Sequence, residues 1–339
     1  MRAAWYERTG PADEVLIVGE LPDPEPGPGE VRVRLHAAGI NPADVKRRAG
    51  AGDRAITDPR VIPGDDGAGI IDLVGSGVSP ERLAERVWVH SANHPSPFGT
   101  SAQHAVVPAR NAIALPAHVP IEIGACLGVP ALTAHRCVFA DGPVDGRTLL
   151  ITGGAGNVAH YAIQLAKHAG ATVIATASTP PKQQAAKDAG ADHVINYRRP
   201  DAPDQILKLA RSGGVDRVID VAFGANLPLT ATVTATNGTI VTYGSDAIPQ
   251  PTLPLYPLMR RGITIRLVGV FLIPAAATQA ATADITRLLT NDLLTHPIAA
   301  RYPLESIAAA HTAVEDGHQI GKTLITPETA PAKTTAHDR

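Results

Sequence analysis

The sequence predicts an α/β chain of two domains, one a distorted barrel of short antiparallel strands and one a doubly wound parallel sheet. Three observations carry this. The chain has 339 residues, more than a single hydrophobic core grows to before chains split into domains. Its first 120 or so residues alternate short apolar-polar runs with Pro and Gly punctuation, the texture of antiparallel strands and turns. From residue 148 onward, short apolar runs alternate with helical patterns, as in βαβ units.

The elements follow in order. Val31-Arg-Val-Arg-Leu35 alternates with period two, so it reads as a strand with one buried face. Pro22-Asp-Pro-Glu-Pro-Gly-Pro-Gly29 cannot continue a hydrogen-bonded ladder and reads as punctuation. Residues 121–140 read as a helical segment interrupted by Pro130. Thr148-Leu-Leu-Ile-Thr152 is a continuous apolar run, typical of a strand buried on both faces, and a Gly-rich turn and a helical pattern follow it. Further strands are expected at 172–177, 192–196, 215–221 and 238–244, with helices at 182–190 and 203–212. Beyond 266 come helices near 277–294 and 304–315, then a last strand, Lys322-Thr-Leu-Ile325. From Pro327 the polar tail is expected to be disordered.

Composition narrows the function classes. Apolar residues make up 44% and charged residues 18%, which is ordinary globular composition. Thirty basic against 32 acidic residues give a net charge of −2, so no cationic footprint for nucleic acid or anionic lipid is expected. Cys126 and Cys137 are the only cysteines, too few for a disulfide framework or a cysteine-built zinc site, and they read as small buried apolar residues. The start, Met1-Arg-Ala-Ala-Trp5-Tyr-Glu, lacks a secretory apolar run, and the longest apolar stretch, 267–277, contains Pro274 and is too short to span a bilayer. A cytoplasmic protein without membrane partners is expected.

The turn Gly154-Ala155-Gly156-Asn157-Val158-Ala159 reads as G-x-G-x-x-A between a strand and a helix. In that context Gly154 is expected to permit the tight turn, Gly156 to let backbone approach a pyrophosphate, and Ala159 to let the helix pack on the strand. An NAD-preferring site would place a carboxylate near the end of the second strand. Here the segment is Thr176-Ala-Ser178-Thr-Pro-Pro-Lys182, where Ser178 and Lys182 can donate to a 2′-phosphate, so the chemistry favours NADPH.

These motifs together resemble the medium-chain dehydrogenase/reductase superfamily and, within it, the zinc-free quinone oxidoreductases similar to zeta-crystallin. The carriers are Gly39-Ile-Asn-Pro-Ala-Asp44, Ile62-Pro-Gly-Asp-Asp-Gly-Ala-Gly69 leading into Val74-Gly-Ser-Gly-Val78, Ala131-Leu-Thr-Ala-His135, the Gly154 loop, Gly190-Ala-Asp-His-Val-Ile-Asn-Tyr197 and Ile320-Gly-Lys322. The resemblance implies a GroES-like β-barrel catalytic domain over 1–122, completed by 267–326, around a Rossmann NADP-binding domain at 123–266, with the cleft at their junction and residues 327–339 as the tail. It implies NADPH-dependent reduction of quinones or conjugated carbonyls, by a homodimer. By position, Ala155, Gly156, Asn157 and Val158 would meet the pyrophosphate, Ser178 and Lys182 the 2′-phosphate, and Tyr197 the adenosine. Asn226, Gly244 and Ser245 would line the ribose and nicotinamide edge, Val270, Phe271 and Leu272 the carboxamide, and Asn41 and Thr133 would flank the nicotinamide. Two departures stand out: Asn157 and Ala159 replace family glycines, and Lys46 replaces an aromatic residue of the cleft, making the substrate side more polar.

Where zinc relatives carry catalytic ligands, this chain has Asn41-Pro42 and Gly64-Asp65-Asp66, so no metal is expected. His90, His94 and His104 read as surface histidines in loops. No G-x-S-x-G elbow points to hydrolysis. Hydride transfer from NADPH needs positioning more than acid or base groups. Asn41 and Thr133 are the expected polar orienters; Asp44 and Lys46 are either electrostatic or proton-relay groups or a solvated helix start. Alternatives are an enone or enoyl-thioester reductase, for which Arg47, Arg48 and Arg54 are the candidate basic groove, and a non-catalytic NADPH-binding protein, crystallin-like or RNA-binding.

Overall fold

The computed structural model describes residues 1–51, 56, 58–210 and 213–327. Arg54, Ser212 and the expected tail beyond residue 327 lie outside them. The chain divides into two compact units, Met1–Val129 together with the chain from His296, and Pro130–Thr295.

In the first unit β1 (Arg2–Trp5) pairs antiparallel with β2 (Ile17–Glu20) across the short α1 (Ala12–Val15). β3 (Glu30–Ile40) continues the Val31–Leu35 alternation for 11 residues. α2 (Pro42–Ala49) follows at once and stops at Gly50, whose φ of +78° suits only glycine at low cost. Then come β4 (Asp66–Val74), β5 (Arg86–Val89), β6 (His104–Pro108) and β7 (Ala112–Ala114). Val31, Val33 and Leu35 are fully buried and pack against Ile71, Val87, Val89 and Val107, so period-two patterning builds this core.

The helix expected over 121–140 is two pieces. Residues Ile121–Cys126 form a tighter 3₁₀ segment, and α3 (Gly128–Phe139) begins after it. Pro130 sits in the first turn of α3, where its missing N–H costs nothing, so the break precedes the proline. Next come β8 (Thr148–Ile151), α4 (Asn157–His168), β9 (Thr172–Thr176), α5 (Pro180–Asp188), β10 (His193–Ile195), α6 (Ala202–Leu209), β11 (Val215–Asp220), α7 (Phe223–Val233), β12 (Thr234–Thr242), α8 (Leu255–Arg260), β13 (Thr264–Leu267) and α9 (Ala275–Thr290). The six strands pair parallel in the order β10-β9-β8-β11-β12-β13, the doubly wound arrangement with its switch between β8 and β11. A buried arginine closes one corner of this unit. Arg217 on β11 donates to the carbonyls of Val138, Asp141 and Gly142, capping the end of α3.

The return to the first unit comes later than residue 267. The Thr295 carbonyl accepts from His160 Nε2 at 2.8 Å, the Thr295 N–H donates to Gln164 at 2.7 Å, and His135 meets Asp284 at 3.0 Å. These bonds tie α9 and its following turn to α3 and α4. Only β14 (Ile298–Pro303), α10 (Ile307–Glu315) and β15 (Lys322–Thr326) rejoin the first unit, completing the sheet β14-β15-β3-β4-β5-β7, with β6 also on β3. No helix among the described residues is long and apolar enough to cross a membrane.

Candidate functional site

In the second unit the strands all end on one edge of the sheet, and that edge carries the expected nucleotide residues. Gly153, rather than Gly154, takes the left-handed turn, with φ of +64°. Gly154 is required for packing: a Cβ there would lie 3.0 Å from the Cβ atoms of both Ala175 and Ala186. Gly156 is the exposed N-cap of α4, followed by the partly exposed Asn157 and Val158 and the fully buried Ala159. The turn therefore presents first-turn N–H groups and a helix dipole to an anion, and Ala155 lies beside it, partly exposed.

Ile195 pairs with Thr176, so Ser178 and Tyr197 each lie two residues past a matched pair on adjacent strands. Tyr197 is 44% exposed. Ser178 ends the β9 turn, and Lys182 sits in the first turn of α5. Neither makes a hydrogen bond or ion pair among the described residues, so both retain donors for a phosphate. Across the switch point, the edge residues are more committed. Asn226 donates to the buried Asp220 at 2.7 Å, and Asp220 also accepts from Thr152 at 2.6 Å. Ser245 accepts from the Gly224 N–H and donates to the Ile248 carbonyl. Gly244 and Ser245, with Thr242 and Val268, line a cavity of about 390 Å³. Val270–Leu272 form a short 3₁₀ turn beyond β13, with Phe271 half-buried and Leu272 exposed. Thr133 is buried in α3.

In the first unit, strand register assembles a second cluster. Thr323 of β15 faces Ile40 of β3, and Gly39 faces Asp66 of β4, which brings Lys322, Asn41 and Asp66 together. Lys322 Nζ donates to Asn41 Oδ1 at 2.5 Å and to Asp66 Oδ2 at 2.8 Å; Asn41 Nδ2 donates to the same Asp66 oxygen at 2.8 Å. Asp66 Oδ1 accepts the Val129 N–H at 2.8 Å. All three side chains are nearly or wholly buried. Two glycines make room: a Cβ on Gly39 would collide with the Ala125 carbonyl and the Lys322 stem, and one on Gly128 with the Asp66 carboxylate. Asn41 thus spends its carbonyl and one amide hydrogen internally and keeps one N–H.

Asp44 is not part of a solvated helix start. It is buried, and its Oδ2 accepts the Asn41 backbone N–H at 2.7 Å, capping α2. Burial, and then the Asp66 charge, push Asp44 up to about 6. Burial, and then the Asp44 charge, hold Asp65 well above the usual carboxylate range. Lys46 lies half-buried on α2. His90 is not a surface residue: it is 5% exposed beside this cluster, and burial lowers it to about 4. His104 lies on β6, part-buried, its ring facing Asp72 at 3.4 Å. Arg47 donates to the Asn93 backbone, and buried Arg48 is spent on Gly10 and Glu315, so neither of these two candidate groove residues is open. Cys126 and Cys137 are buried and free, as expected. Lys322 escaped sequence reasoning as a functional group, although a lysine opening an otherwise apolar strand was its signal.

Comparison with known proteins follows the same division. Residues 27–117 match the alcohol dehydrogenase GroES-like domain model, and 158–287 match the zinc-binding dehydrogenase model. The chain is similar to quinone oxidoreductase of Homo sapiens, 27% identical over 94% of each chain. It is equally similar to 2-haloacrylate reductase of a Burkholderia species, 27% identical over 97% of this chain and 99% of the other. A mycobacterial protein solved in complex with NADPH superposes with a TM-score of 0.85, at 28% identity over 96% of this chain and all of the other. The chain belongs to the medium-chain dehydrogenase/reductase superfamily, with quinone oxidoreductases among its relatives. As a member of that superfamily it is an oxidoreductase, with a GroES-like domain and a Rossmann-type nucleotide domain.

Proposed function

We propose that this oxidoreductase uses NADPH to reduce quinones or related conjugated carbonyls without a metal. The observation that carries the cofactor choice is the end of β9, which has no carboxylate and instead offers Ser178 and the unengaged Lys182 at the start of α5. A 2′-phosphate there meets donors and no repelling charge. The cofactor, when bound, supplies hydride. The α4 N-terminus at Gly156 to Val158 holds its pyrophosphate, Tyr197 borders its adenosine, and the Gly244–Ser245 and Val270–Leu272 turns take its nicotinamide side.

The metal-free reading is supported by the Lys322 ammonium, bonded to both Asn41 Oδ1 and Asp66 Oδ2. A divalent ion placed on those oxygens would face a fixed positive charge. Asn41 then acts through its remaining N–H, and Thr133 through its hydroxyl, as orienters of nicotinamide or acceptor carbonyl. A homodimer belongs to the same reading, and β13, which pairs only with β12 among the described strands and exposes Leu267, offers an edge for it. Similarity to a 2-haloacrylate reductase favours a second reading, hydride delivery to a polarised carbon–carbon double bond.

Purified protein tested against quinones, enones and enoyl thioesters, with NADPH and NADH in parallel, separates these readings. Preference for NADH would sink the Ser178/Lys182 reading. Turnover of enones alone would establish the second.

A further inference from the structure

The first unit contains a cavity of about 760 Å³, lined entirely by its own residues and by none of the cofactor-edge residues. That size falls within the range of about 300–1,000 Å³ in which proteins bind small molecules. Its floor is β6. Along that strand Ala105 and Val107 join the core, while His104, Val106 and Pro108 alternate with them and line the cavity, which Ala105 also borders. A strand apolar on both faces needs cover on both, and here the outer cover is incomplete. Opposite lie Leu21, Ile62 and Phe98, the last 52% exposed despite its apolar ring.

The charged groups of the wall are not equivalent. Glu30 accepts the Gly27 N–H at 2.9 Å and Glu25 faces Arg32 at 3.7 Å. Arg60 stacks 4.9 Å over Trp5 and meets Glu7 at 3.5 Å. Arg110 is exposed and makes no hydrogen bond or ion pair among the described residues. The wall thus combines an apolar body with one unspent guanidinium, whose fork of donors matches a carboxylate.

From this we propose a second small-molecule site in the first unit, which takes an apolar carboxylate with its chain over Val106, Ile62 and Phe98 and its head on Arg110. The site is independent of the reductase reading, since cofactor residues lie in the other unit. Octanoate and octanol, titrated calorimetrically into the full chain, test it. The expected result is one saturable octanoate site below about 1 mM, with octanol at least about tenfold weaker. Arg110→Gln should abolish the preference for octanoate, and Val106→Arg should remove both ligands; the melting transition of the first unit, unchanged in each variant by calorimetry, reports intact folding. Should Val106→Arg fail to fold, Arg110→Gln, at an exposed position, still decides. Absence of saturable binding would overturn the site, and equal affinity for octanol or an unaltered Arg110→Gln variant would overturn its carboxylate chemistry.

Discussion

Replacing Lys322 by methionine tests the central claim about the first unit. The substitution keeps the stem length beside Gly39 but removes the ammonium, leaving the Asp66 carboxylate with only Asn41 and the Val129 N–H. Both ionic partners are essentially inaccessible to solvent, at 2% and 0% side-chain exposure, so solvent screening cannot compensate. Breaking a buried pair by removing one partner costs about 3–5 kcal/mol. In a unit of roughly 150–250 residues, each kcal/mol lowers the melting temperature by about 2–4 °C. The first unit of Lys322→Met should therefore melt about 10 °C lower by calorimetry, with NADPH affinity retained by the second unit. Adding Asp66→Asn removes the stranded charge, so the double variant should recover most of the loss. A single variant that melts within 2 °C of the parent, or a double variant no better than the single, would refute the internal ion pair as a stabilising element.

Acid should act through His311, which is fully buried on α10 with neither ring nitrogen hydrogen-bonded among the described residues; burial, then the Arg48 charge, lowers it from 6.5 to about 3. The unfolded chain takes up this proton below 6.5 and the folded one does not, so stability falls with pH through that window, by about 1.4 kcal/mol per unit. His311→Leu should thus gain about 2 kcal/mol on the parent between pH 7 and pH 5 in urea melts, and an equal difference at both values would contradict it. Asp44, raised to about 6, works oppositely: its contribution is present at low pH and is lost as pH rises through 6. At the cofactor edge, Lys182→Ala should weaken NADPH by roughly 10- to 100-fold while leaving NADH unchanged in fluorescence titrations, the range expected for one charge-assisted hydrogen bond. Arg217→Met strands three carbonyls at the end of α3 and should lower second-unit stability by about 2–4 kcal/mol, measurable by chemical denaturation.

The two sites differ in how much of each was legible in sequence, and the reason is separation along the chain. The nucleotide turn is local: Gly153 to Ala159, a strand before and a helix after, encode an anion cradle within a few residues, and the missing carboxylate at Ser178 is read just as locally. Even there, the labour of the glycines is divided differently, because sequence shows that a glycine is present but not which one bends. The Lys322 cluster joins residues 281 and 256 apart. No periodicity links them; only the register of β15 on β3 and of β3 on β4 does. The surface reading of His90 and the solvated helix-start reading of Asp44 fail for the same reason, since strand ends and helix starts look polar in sequence whether or not a third element covers them. The later return at His296 likewise depends on bonds from α3 and α4 to residues 284–295, which patterning cannot reveal.

The position of Lys322 on the last strand also orders the making of the protein. Asn41 and Asp66 leave the ribosome early, but the charge that neutralises Asp66 is translated only after the whole nucleotide-binding unit. Until Lys322 emerges, the first unit holds an acid without its cation. Completion of the polar centre is thereby tied to the docking of β15 on β3, and a product truncated before Lys322 lacks it.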